Sequence, residues 1–131
     1  MGLQGLAHIG ITATDLSRSK EWYSQVVGWK PEMDGGGEGV SFSLGALPSG
    51  QLLGLRQYED GSGDAFDFRR TGLDHLAFAV QSSELPDWER RFSELGVTFT
   101  PTHHDPFGHF LNFKDPDGIA LELYAPPDES E

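Results

Sequence analysis

Residues 6–11 read Leu-Ala-His-Ile-Gly-Ile, and residues 73–78 read Leu-Asp-His-Leu-Ala-Phe, the same kind of segment met again 67 residues later. Each alternates apolar with small or polar residues, the period-2 pattern of a strand with one face in a core. Each leads into a helical pattern. The first opens at Asp15, a good N-cap, carries Leu16, Tyr23, Val26 and Val27 on one face, and meets a glycine stop at Gly28. The second has Pro86 in its first turn, the stripe Leu85, Trp88, Phe92 and Leu95, and a stop at Gly96.

Strand patterns then follow in both halves. A short one is predicted after each helix, near 29–32 and 97–99. Longer ones are predicted at 40–44 and 51–58 in the first half, and at 110–113 and 119–124 in the second. Asp115-Pro116-Asp117-Gly118 joins the last two as a tight turn, and the glycine-rich stretch 34–39 joins two strands rather than two domains. The offset between matching features stays near 67–69 residues. The sequence therefore predicts an α+β fold of two βαβββ modules, about 5–58 and 72–125, within one domain, with an acidic tail at 126–131.

Nine Lys and Arg against 21 Asp and Glu give 131 residues a net charge of −12. Such a field repels nucleic acid and anionic membrane surfaces, so neither is expected as a partner, and it suits a neutral or cationic small molecule. The chain contains no cysteine, which excludes disulfides, thiolate metal sites and a cysteine nucleophile. Without a membrane-length apolar run or a basic leader, a cytoplasmic location is the expectation.

Alternation assigns faces. Leu76 and Phe78 share one side of their strand, and Ile119, Leu121 and Leu123 one side of theirs. The opposite sides are small and sparsely polar: Gly10, Thr12, Ala77, Ala79 and Ala120, as suits a cavity wall. His8, His75 and Glu122 fall on that side, near strand centres by this reading. Two neutral imidazoles and a carboxylate are a donor set for one divalent ion, Mn, Fe(II), Co, Ni or Zn, with positions left open for substrate. The repeat partner of Glu122 is Gly54, so the exchangeable side of such a site is expected there. Arg56, on the same side of its strand as Gly54, is an alternative partner that would neutralise Glu122 without metal. Arg56, Phe110, Asn112 and Tyr124, with Ser41 and Ser43, are read as projecting toward the cavity and contacting the ligand. No residue is assigned a catalytic role. His103 and His104 are read as loop residues, and His109 as facing away from the cavity with Leu111 and Phe113.

The segments LAHIGI, EWYSQVVGW, LDHLAFAV and FKDPDGIALELYAP resemble the vicinal oxygen chelate superfamily, which includes glyoxalases, bleomycin and fosfomycin resistance proteins and extradiol dioxygenases. The resemblance covers nearly the whole chain. It implies half-open barrels built from paired modules, a homodimer, and a divalent metal on His8, His75 and Glu122. It further implies a metal-dependent lyase, isomerase or dioxygenase whose substrate chelates through adjacent oxygens. The other activity it implies is non-catalytic sequestration of a drug or metabolite, as in bleomycin resistance. Gly54 departs from the glyoxalase pattern, which has a carboxylate there. The scarcity of basic residues near the site, Arg56 and Lys114 only, departs from the fosfomycin-transferase pattern.

Overall fold

The computed structural model describes residues 1–128, so the end of the expected acidic tail, residues 129–131, lies outside the described residues. The chain divides into two compact units, Met1–Asp64 and Ala65–Glu131. The first has strand β1 (His8–Thr12), helix α1 (Leu16–Val27), and strands β2 (Lys30–Gly37), β3 (Val40–Ala46) and β4 (Leu52–Tyr58). The second has β5 (Leu76–Ala79), a single 3-10 turn at Ser82–Glu84, helix α2 (Leu85–Leu95), and strands β6 (His103–Asp105), β7 (Gly108–Lys114) and β8 (Ala120–Ala125). Each unit forms one four-stranded mixed sheet, in the order β1-β4-β3-β2 or β5-β8-β7-β6. The first strand of each pairs in parallel with the last, and the helix makes the crossover that parallel pairing needs.

The local causes are those the sequence offers. Asp15 accepts a hydrogen bond from the Arg18 N–H at 3.1 Å, and Gly28 leaves α1 at φ 72°, a left-handed conformation that only glycine adopts without cost. Gly96 ends α2 in the same way. In the first unit Tyr23, Val26 and Val27 bury one face of α1 with Ile11, Leu53 and Leu55. In the second, Phe92 is fully buried, its ring 4.7 Å from Phe113 and 5.8 Å from Phe99. Burying a side chain of this size is worth about 2–3 kcal/mol.

Several expectations are corrected. Leu95 is 43% exposed, so the stripe of α2 ends at Phe92. The strand expected at 97–99 is a single bridge from Phe99 to Phe113. Pro101, which has no N–H to donate, follows the bridge, and pairing resumes only at β6. His103 and His104 are therefore strand residues, not loop residues. In the first unit the glycine stretch is mostly strand, since Asp34–Gly37 pair with β3 and the connection shrinks to Glu38 and Gly39. Ser43 is fully buried opposite Leu55, and Ser41 stands opposite Gln57, so both lie on the core-facing side rather than toward the cavity.

The turn before β8 rests on one buried carboxylate. Asp115 Oδ1 accepts the N–H of Asp117 at 2.8 Å and of Ile119 at 2.9 Å, while Gly118 takes φ 78°. Asp115→Ala leaves two N–H groups unpaired and should cost about 2 kcal/mol. Chemical denaturation should show that loss, and Asp115→Asn, which keeps one acceptor oxygen, should lose less.

Candidate functional site

The strand registers carry the internal repeat to atomic detail. Gly10 stands beside Gly54 in the first sheet and Ala77 beside Glu122 in the second. Across the antiparallel pairs, Leu44 faces Gly54 and Asn112 faces Glu122. Paired residues share a face, so each unit presents one comparable surface away from its helix. In the first unit that surface is Leu44 and Gly54. In the second it is Asn112 and Glu122.

In the second unit the polar groups converge. His75 Nε2 lies 3.8 Å from Glu122 Oε2, and His75 Nδ1 lies 2.8 Å from Asp74 Oδ1. The Asp74 carboxylate can only accept, so this contact places a ring proton on Nδ1 and turns Nε2 toward Glu122. Glu122 is held in mid-strand with its side chain 16% exposed, while that of His75 is 47% exposed. A cavity of about 450 Å³ opens here, its wall including Phe68, Asp74, His75, Asn112, Lys114 and Glu122. Beside Phe68, the Asp67 carboxyl is held below its ordinary range by hydrogen bonds from the Arg69 side chain and backbone.

His75 precedes β5 by one residue and His8 is the first residue of β1, so neither is central in its strand as first read. The strand-end position leaves both rings exposed. In the first unit His8 lines a cavity of about 560 Å³ with Glu32, Met33, Leu44, Gly54 and Arg56. A Cβ at residue 54 would crowd only the flexible tip of Leu44, Cδ2 at 2.8 Å, on the wall of this cavity. The Arg56 guanidinium sits 5.5 Å from the centre of the Phe42 ring, within cation–π range.

Phe110 and Tyr124 pair across β7 and β8 on the face of Asn112 and Glu122, with nearly parallel rings 6.5 Å apart. They lie beyond the wall of the 450 Å³ cavity, and Tyr124 Oη donates to the Phe107 carbonyl at 2.8 Å. Sequence reading passed over Asp74 and Glu32. The signal for Asp74 was its place next to His75, where the other repeat has Ala7. Glu32 falls where the β2–β3 register shifts between Pro31 and Met33, a bulge that alternation alone does not reveal.

Among the described residues no group of three or more His, Asp or Glu is gathered to hold a metal, and no helix is long and apolar enough to cross a membrane. The donor chemistry of the second unit nonetheless fits one: an imidazole nitrogen, a carboxylate beside it, and an outer carboxylate fixing the ring.

Residues 5–123 match the family model of the Glyoxalase/Bleomycin resistance protein/Dioxygenase superfamily. The crystal structure of a glyoxylase/bleomycin resistance protein/dioxygenase domain from Frankia sp. EAN1pec is 42% identical, with a TM-score of 0.91 over 96% of this chain and all of that one. The metallothiol transferase FosB of Bacillus licheniformis is 36% identical over 53 residues, 39% of this chain, a match spanning only about a third of FosB (34%). The fosfomycin resistance protein FosX of Listeria monocytogenes, in complex with Mn(II) and 1S,2S-dihydroxypropylphosphonic acid, superposes with a TM-score of 0.75 at 23% identity, over 96% of this chain and 93% of FosX.

Proposed function

The chain belongs to the glyoxalase/bleomycin resistance protein/dioxygenase superfamily, and from that premise we propose that it is a divalent-metal-dependent enzyme acting on a small molecule that presents two adjacent oxygens. The metal ligands in this reading are His8, His75 and Glu122, and the ion is Mn, Fe(II), Co, Ni or Zn. The single observation that carries it is the approach of His75 Nε2 to Glu122 Oε2 with Asp74 locked on the far ring nitrogen. The name of FosB and the Mn(II) in FosX agree with it. When bound, such an ion supplies Lewis acidity and a template for the two oxygens.

The chain's own residues do the rest. Asp74 accepts the His75 Nδ1 proton, which fixes the ring orientation and makes Nε2 the nitrogen turned toward Glu122. Asn112, opposite Glu122, presents an amide able to donate to a substrate oxygen or accept from a hydroxyl. Phe110, Tyr124 and Arg56 form the ligand-contacting set, two aromatic faces and one cation. The net charge of −12 favours neutral or cationic substrates over the phosphonate bound by FosX. The reaction is of lyase, isomerase or dioxygenase type, carried out in the cytoplasm by a homodimer.

The parallel Phe110–Tyr124 pair supports a second reading, sequestration of a flat cationic drug without chemistry. Elemental analysis of protein purified without added metal separates the two. The enzyme reading expects close to one resident ion per chain, lost in His8→Ala and His75→Ala. Protein whose metal content, as purified or after incubation with Mn(II), Co(II), Ni(II) or Zn(II), is unchanged by His8→Ala and His75→Ala, yet which binds a cationic aromatic drug unchanged by chelator, overturns it in favour of the second.

A further inference from the structure

The opposite face of the second sheet carries another histidine arrangement. His104 and His109 stand directly across the β6–β7 ladder, and their Nδ1 atoms are 2.6 Å apart. Two imidazole nitrogens this close share one proton, with one ring donating and the other accepting. On the far side of the His109 ring, Nε2 lies 3.2 Å from Asp128 Oδ1. The carboxylate accepts a hydrogen bond from Nε2–H, which turns the Nδ1 atom of His109 toward His104. That is a carboxylate–histidine unit of the Asp74–His75 kind, aimed here at a second imidazole.

Alternation separates this pair from the proposed catalytic site. His109 shares its side of β7 with the buried Leu111 and Phe113, and Phe113 meets Phe92 of α2, whereas Asn112 and Glu122 occupy the other side. His103, next along β6, turns to that other side, where its ring stacks on Phe110 at 5.2 Å. The neighbouring carboxylate Asp105 Oδ1 is already taken by the Phe107 N–H at 2.7 Å.

We propose that His104 and His109 form a second, surface binding site for a divalent transition-metal ion, held through their Nδ1 atoms with Asp128 orienting His109. The ion replaces the shared proton. Two Zn–N bonds of about 2.0–2.1 Å at a tetrahedral angle set the nitrogens about 3.3 Å apart. The change from 2.6 Å needs only a small rotation of the exposed His104 ring, beside a His109 side chain that is 14% exposed. Two imidazoles and open water positions select Cu(II), Ni(II) and Zn(II), and discriminate against Mg(II) and Ca(II), which prefer oxygen.

The test uses the full chain carrying His75→Ala and Glu122→Gln, so that the proposed catalytic ligands are gone, and Zn(II) alone as probe. Competition against a zinc indicator should show one equivalent bound. His104→Ala or His109→Ala in that background should abolish it, and Asp128→Asn should weaken it about tenfold or more. Nitrogen-15 spectra of the histidines should show zinc shifting Nδ1 of both rings. His104→Asn and His109→Asn, which keep polar side chains at the hairpin, guard against loss of fold and should also lose the zinc. Zinc uptake that is absent in this background, or unchanged when either ring is replaced, overturns the proposal. The catalytic metal stands or falls separately, on whether the unmutated chain holds a resident ion that His75→Ala removes.

Discussion

Glu122→Gln should yield a folded protein without its resident metal, with affinity for added Mn(II), which the two-imidazole site does not select, down at least a hundredfold. The amide keeps the shape of the carboxylate and its place opposite Asn112 but loses the negative charge that a divalent ion requires. His75→Ala should act as strongly. Asp74→Asn should act less, about 10–100-fold, because it removes the acceptor that fixes the His75 proton and not a ligand. This graded series distinguishes a metal site from an ordinary ion pair, in which Asp74 and Glu122 would merely compete for one imidazolium. Stability should respond in the opposite direction. Glu122 is a half-buried carboxylate whose neighbour His75 is neutral when it offers Nε2 as a ligand. Removing that charge should leave the metal-free melting temperature unchanged or raised, the usual trade between a site and its scaffold. Inductively coupled plasma analysis and calorimetric titration measure the first effect, and thermal melts of chelator-treated protein the second. Equal metal content in wild type and Glu122→Gln would remove Glu122 from the ligand set.

Why the architecture was readable from the sequence, and parts of the site were not, follows from which interactions are local. The helices announce themselves through Asp15, Gly28, Pro86 and Gly96, whose effects act within one turn of chain. The duplicated βαβββ order follows because both copies keep the same punctuation. Edge strands were harder. β6 is three residues long and its pairing depends on β7, so no period within His103–Asp105 could show it. The buried serine at position 43 misled for a related reason: a small hydroxyl on the core side of a strand looks like a polar residue on the cavity side. At the site, residue type and repeat position marked His75 and Glu122. Neither could show that Asp74 bonds to the ring, or that the tip of Leu44 lies beside Gly54. Those are side-chain packing outcomes with no sequence period.

The repeat also supplies the volume argument behind the largest stability prediction. Trp29 and Gly45 in the first unit occupy the places of Val97 and Phe113 in the second, and the paired residues Pro31 and Gly45 correspond to the bridged Phe99 and Phe113. One unit puts its large side chain after the helix and nothing on the strand; the other does the reverse. The total filling is similar, as close-packed cores demand. Trp29 is 2% exposed and its indole N–H donates to the Leu53 carbonyl at 2.9 Å, which pins the ring over Gly45. A Cβ at residue 45 would lie 2.3 Å from the Lys30 carbonyl oxygen and 2.7 Å from the indole. The ring cannot swing aside without breaking its hydrogen bond, and the carbonyl belongs to the paired strand. Gly45→Ala should therefore cost about 3 kcal/mol, at the upper end of overpacking effects, and lower the melting temperature by roughly 10 °C. Trp29→Leu alone should also destabilise, through the cavity it leaves. In the double variant the new methyl group enters space the indole has vacated, so the two costs should sum to clearly more than the measured loss. The shortfall should be partial, since the Lys30 carbonyl remains in place. Strict additivity in that cycle would show that the indole is not what excludes a side chain at position 45.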